Sequence, residues 1–223
     1  MNSKKKNIEA QIVEDFEKIR PAITRLLQTQ MKNDDLSLRY GRSKSNSKND
    51  IVINPSILVN TISKTNLDRD EVMIGTVVHE AIHATNNYSL DSESLNKLFP
   101  DELDDVEDID DVLEILTGPF GKYVFDILIH SIEEKIFVKQ YEGLNSILED
   151  IYTESFSEIK KLGNFSQYLS LLFHSITSYI DPEFENYKKP VVNSLNESLH
   201  ILKTLNYENV NVSELIEATV QMV

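Results

Sequence analysis

The chain has 223 residues, 40% of them hydrophobic, with 37 acidic residues against 22 lysines and arginines and a net charge of −15. That length and apolar content suit one domain with a sizeable core. Zero cysteines exclude disulfides and thiolate metal sites. The negative charge argues against nucleic acid as a partner, because such binding runs on cationic contacts to phosphate.

No apolar run reaches membrane-spanning length, and Lys4-Lys5-Lys6 is not followed by the apolar segment of a signal peptide. A soluble, cytoplasmic protein with no membrane partner is therefore expected. Residues 7–31 carry apolar side chains at helical spacing, and Pro21 is expected to kink or split that helix. Leu36-Ser37-Leu38-Arg39-Tyr40 and Asp50-Ile51-Val52-Ile53-Asn54 read as two strands of an antiparallel hairpin or small sheet, joined by a Gly/Ser/Asn/Lys loop. Pro55 ends the second strand because it cannot donate to a ladder.

The next helix carries the most informative residues. Asp68, with Leu67 before it and Glu71 three residues on, has the form of a capping box. Val72, Val78 and Ile82 continue the helical spacing, and Asn86-Asn87 can close the helix in a left-handed conformation. In its last turns lies His79-Glu80-Ala81-Ile82-His83, an H-E-x-x-H motif. Two imidazoles four residues apart stand one turn apart on one face and can reach the same ion. Glu80 points to an adjacent face, where it can take a proton from a water that the ion activates. This is the core of a zinc-dependent hydrolase; the bland alternative is a polar stripe on a surface helix. Gly75, four residues before His79, costs about 1 kcal/mol in a helix interior. A close backbone approach beside the metal helix would explain it, as would a merely tolerated glycine.

Residues 89–117 form an acidic insertion in which Leu103, Val106, Ile109, Leu113 and Leu116 suggest a short helix. The glycine and terminal glutamate of an EF-hand loop are not at their spacings, so a solvated acidic face is the reading. Bordering a cleft, it would favour basic substrates.

Catalytic zinc normally takes three protein ligands and keeps a fourth position open. An H-E-x-x-H-x-x-G-x-x-H extension is absent, since Asn86 and Ser89 stand where its glycine and third histidine would be. A carboxylate from a second helix is the other common solution, and the stretch from Phe125 to Phe137 offers one. Phe125, Leu128, Ile129, Ile132 and Ile136 give it a buried stripe, and Glu133 lies nearer that stripe than Glu134. A buried carboxylate is costly unless paired or bound to a cation, which makes Glu133 the candidate third ligand. Glu134 would then hold the proton on a ligand histidine's other nitrogen, and His130 is the rival ligand. The alternative for both acids is a solvated Glu-Glu pair. His174, Tyr168 and Tyr141 are candidate donors to a tetrahedral oxyanion. Further helices are expected near residues 145–162, 164–180 and 183–205, with a short one after Asn211.

Together with the H-E-x-x-H motif, the segment from Ile132 to Leu144 resembles a pattern in metallopeptidases of phages and bacteria that often precede a von Willebrand A-like domain. Those proteins are distantly similar to cobalt-chelatase subunits. Glu133 and Glu134 match the pattern's acidic pair, and Tyr141-Glu142-Gly143-Leu144 matches its end. Three positions depart: Glu134 stands for Asp, Ile136 for Arg and Val138 for a final acid. The resemblance covers roughly residues 36 to 145. It implies a zincin-like fold whose edge strand beside the cleft takes an extended peptide by strand addition. Residues 51–53 are the candidate edge, with a purely structural hairpin as the alternative.

The expected fold is α+β, mainly α: a zincin-like metal helix pair, a small antiparallel sheet and a helical C-terminal half in one domain. Residues 1–145 would hold the metal-binding core and residues 146–223 the helical part. The expected function is a zinc metallopeptidase in which His79, His83 and Glu133 hold Zn2+ and Glu80 is the general base. Its substrate would be a protein or peptide. The three departures carry the alternative, a catalytically weak or inactive zincin-fold protein that joins a protein complex or a phage virion. In that case the chain resides in the host cytoplasm or the virion. A third reading is an all-helical binding protein with an accidental motif.

Overall fold

The computed structural model describes residues 3–41, 49–62, 67–85, 97, 99, 109–140, 145–156, 158–179 and 183–223. In chain order the elements are α1 (Ser3–Met31), β1 (Ser37–Tyr40), β2 (Asp50–Ile53), α2 (Pro55–Ile62), α3 (Arg69–Thr85), α4 (Ile109–Thr117), α5 (Gly121–Gln140), α6 (Asn145–Phe156), α7 (Asn164–Thr177), α8 (Lys189–Leu202) and α9 (Val212–Met222). Short 3-10 turns lie at Gly118–Phe120, Ile159–Lys161 and Phe184–Asn186. The chain divides into two compact units, Met1–Asn86 with Phe137–Ser157, and Asn87–Ile136 with Glu158–Val223. Helix α5 leaves the second unit at Ile136 and ends in the first.

In the first unit, α1 buries Ile12, Phe16, Ile23 and Leu27 at steps of four, seven and four residues, one or two helical turns each. They join Leu38, Ile51, Ile53, Leu58, Met73 and Val77 in one apolar core. Pro21 does not split the helix. It sits on the exposed side, where water can take the Glu17 carbonyl that loses its helical donor.

The sheet corrects an expectation: β1 and β2 run parallel, in register from Ser37↔Asp50 to Tyr40↔Ile53. The apolar alternation fits either direction, so it could not decide. A hairpin is normally closed by two to five residues, whereas here residues 41–49 intervene. Nine residues reach up to about 30 Å, enough to return along a strand of about 13 Å without a crossover helix. Parallel register also sets Asp50 beside the start of β1, where its carboxylate accepts from Arg39 Nε at 2.9 and 3.1 Å and from Ser37 Oγ at 3.1 Å. Ile51, Val52 and Ile53 are 0%, 5% and 0% exposed, backbone included. That strand offers no open edge to an extended peptide.

Helix α3 packs on β2, α1, α2 and α6. Asp68 caps it: its Oδ1 accepts from Asp70 N at 2.8 Å and its carbonyl from Val72 N at 3.1 Å. The expected closure at Asn86-Asn87 lies outside the described residues.

In the second unit, α4 is the short helix expected inside the acidic insertion, with Val112 and Leu113 buried. Most of the insertion before it lies outside the described residues. Gly118, at φ +66°, ends α4 in a conformation that glycine adopts without strain. Helix α7 packs on α8, α8 on α9, and α9 on α4. Asn211 and Glu214 close a reciprocal capping box at the start of α9, with bonds of 2.9 and 3.0 Å. Helices α6, α7 and α8 stop short of the expected bounds, α7 because Ser178 turns left-handed at φ 65°. Among the described residues no helix is long and apolar enough to cross a membrane.

Candidate metal centre

The residues singled out by the sequence stand on α3, in the first unit, and on the part of α5 in the second. On α3, His79 and Glu80 are half-buried. The Nδ1 of His79 is hydrogen-bonded to the Tyr152 hydroxyl of α6 at 3.1 Å. When Nδ1 is the donor in that bond, Nε2 carries the lone pair and is the nitrogen a cation can use. The side chain of His83 lies outside those described.

Tyr152 reaches His79 because α3 and α6 approach closely at Gly75. A methyl group there would run into Ile151 Cδ1 and come within 3.2 Å of Ile147 Cγ2. Gly75 and His79 are one helical turn apart, and Tyr152 directly follows Ile151, so one packing contact sets the other.

On α5, Ser131, Ile132, Glu133 and Glu134 are all buried, at 0%, 0%, 3% and 0% exposure. Four consecutive buried residues mean that every face of the helix is covered at this turn. The apolar stripe therefore cannot rank the two acids, which was the basis for placing Glu133 nearer the core. Glu134 stands one turn after His130, and a carboxylate oxygen of the one lies within 4.8 Å of a ring nitrogen of the other. The His130 ring meets Phe173 edge-on at 6.2 Å. Lys135 gives its charge elsewhere: Nζ donates to the Ile176 carbonyl at 2.7 Å and lies 5.3 Å over the Tyr207 ring. Burial lowers its pKa.

The proposed oxyanion donors fare differently. Tyr168 is committed to the packing of α7 on α8 through its bond with Ser198 Oγ at 2.8 Å. His174 is buried, and desolvation holds its imidazole at about 4, neutral at physiological pH. Tyr141 lies outside the described residues. Sequence reasoning missed Tyr152, whose own position carries no spacing signal. Gly75 was the only trace of it, as an unexplained helical glycine one turn before the motif.

No family model, curated protein or solved structure matches this chain.

Proposed function

We propose that the chain is a zinc-dependent peptidase, with the ion held by His79 and His83 of α3 and by Glu134 of α5, and with Glu80 as general base. The observation that carries this is the pairing of half-buried His130 with buried Glu134, one turn apart on α5. The donor chemistry fits the metal: imidazole and carboxylate without thiolate suit zinc, and a buried carboxylate gains a counter-charge from a cation. When bound there, zinc supplies a positive charge that brings a water's pKa towards ~7 and polarises a carbonyl. Glu80 would serve as general base, taking a proton from the attacking water and returning it to the leaving amine. Glu134 replaces Glu133 in the ligand role because it lies with an imidazole as well as being buried. The net charge of −15 favours basic peptides as substrates.

His130 favours a second reading. If it also ligates, the ion has four protein ligands, the closed set of a structural zinc site, and the chain is a metal-stabilised interaction protein such as a virion component.

The test compares zinc content and peptide hydrolysis across variants. Glu134→Gln should lose zinc while Glu133→Gln retains it; the reverse pattern returns the ligand role to Glu133. Glu80→Gln should keep zinc and lose hydrolysis by roughly 10²–10⁴-fold. Zinc-loaded wild type that cleaves no peptide, together with zinc lost in His130→Ala, would support the structural reading instead.

A further inference from the structure

We infer that Tyr152 is the positioning residue for His79, accepting its Nδ1 proton and so presenting Nε2 as the ligand nitrogen. The inference rests on the metal reading above and names a residue that no sequence motif marks.

Three observations converge on it. The Tyr152 hydroxyl and His79 Nδ1 are 3.1 Å apart, a hydrogen bond within one unit. Both groups are half-buried, so water competes less for the bond than it would at the surface. The helix that carries Tyr152 is registered against α3 by Ile147 and Ile151 at Gly75, so the hydroxyl is delivered by packing and not by a mobile loop.

A neutral imidazole has one N–H and one lone pair, and the bond made by one nitrogen decides what the other can do. With Nδ1–H donating to Tyr152 Oη, Nε2 carries the ring's lone pair and is aimed by a ring that can no longer rotate freely. With the opposite tautomer, Nε2 is protonated and Nδ1 is occupied by the phenol, so neither nitrogen can take a cation. Cation binding at His79 therefore requires Tyr152 as acceptor, the role that carboxylates and carbonyls play behind other metal-ligating histidines.

The experiment uses the full chain, wild type and Tyr152→Phe, which removes the oxygen and keeps the ring. Thermal unfolding checks that both fold. Long-range 1H–15N spectra of metal-free protein read the His79 tautomer, and competition against a chelator then gives zinc affinity. Wild type is expected in the Nδ1–H tautomer, with Tyr152→Phe shifted away from it and binding zinc about tenfold more weakly. An unchanged tautomer, or equal zinc affinity in the two proteins, overturns the inference. Wild type that binds no zinc defeats the peptidase reading instead, and the tautomer comparison still decides the role of Tyr152.

Discussion

His174 is buried and Lys135 half-buried in the second unit, and the two ionisable groups answer burial differently. Lys135 keeps a partner for its ammonium in the Ile176 carbonyl, one of the last carbonyls of α7. His174 becomes neutral, its pKa lowered from 6.5 to about 4 by desolvation. Between those values the unfolded chain binds a proton that the folded chain refuses. Stability is therefore complete above about 6.5, falls as pH drops towards about 4, and is not lost further to this group below that. From pH 7 to pH 4.5 the unfolding free energy from urea titration should fall further for wild type than for His174→Gln, by on the order of 2 kcal/mol. Equal falls in the two proteins would show that His174 is not held neutral by the fold.

At the scale of helices, the α3–α6 contact is the one that matters for the site, because Gly75 lets the two backbones come close one turn before His79. Gly75→Leu should cost roughly 1–3 kcal/mol by overpacking against Ile147 and Ile151, and should weaken the Tyr152–His79 bond. Gly75→Ala should cost less, since the Ile151 δ-methyl can turn aside and alanine is the better helix former by about 1 kcal/mol. Chemical denaturation of the two variants decides it, and a stable Gly75→Leu would mean that the close approach is not needed. The same elements show how far the sequence could be read. Periodicity and turn signals placed the helices: Asp68 starts α3, and a short helix follows Asn211, where the reciprocal cap with Glu214 is seen only in the structure. Strand direction was illegible, because Leu38, Ile51 and Ile53 face one core in either orientation. The ranking of Glu133 and Glu134 was illegible too, since periodicity assumes one solvated face and α5 at residues 131–134 has none. Tyr152 belongs to the tertiary contact alone.

Across the whole chain, one buried turn of α5 carries two carboxylates in a protein already at −15. Burying acidic groups in so acidic a chain is unfavourable unless something positive meets them. The proposed function takes zinc as one such charge, on the strength of the motif on α3 and the His130–Glu134 pair on α5. Elemental mass spectrometry of the purified chain, wild type beside His79→Ala, tests this most directly. The account predicts one zinc per wild-type chain and none in the variant. No zinc in either protein, even after adding it back, would contradict it.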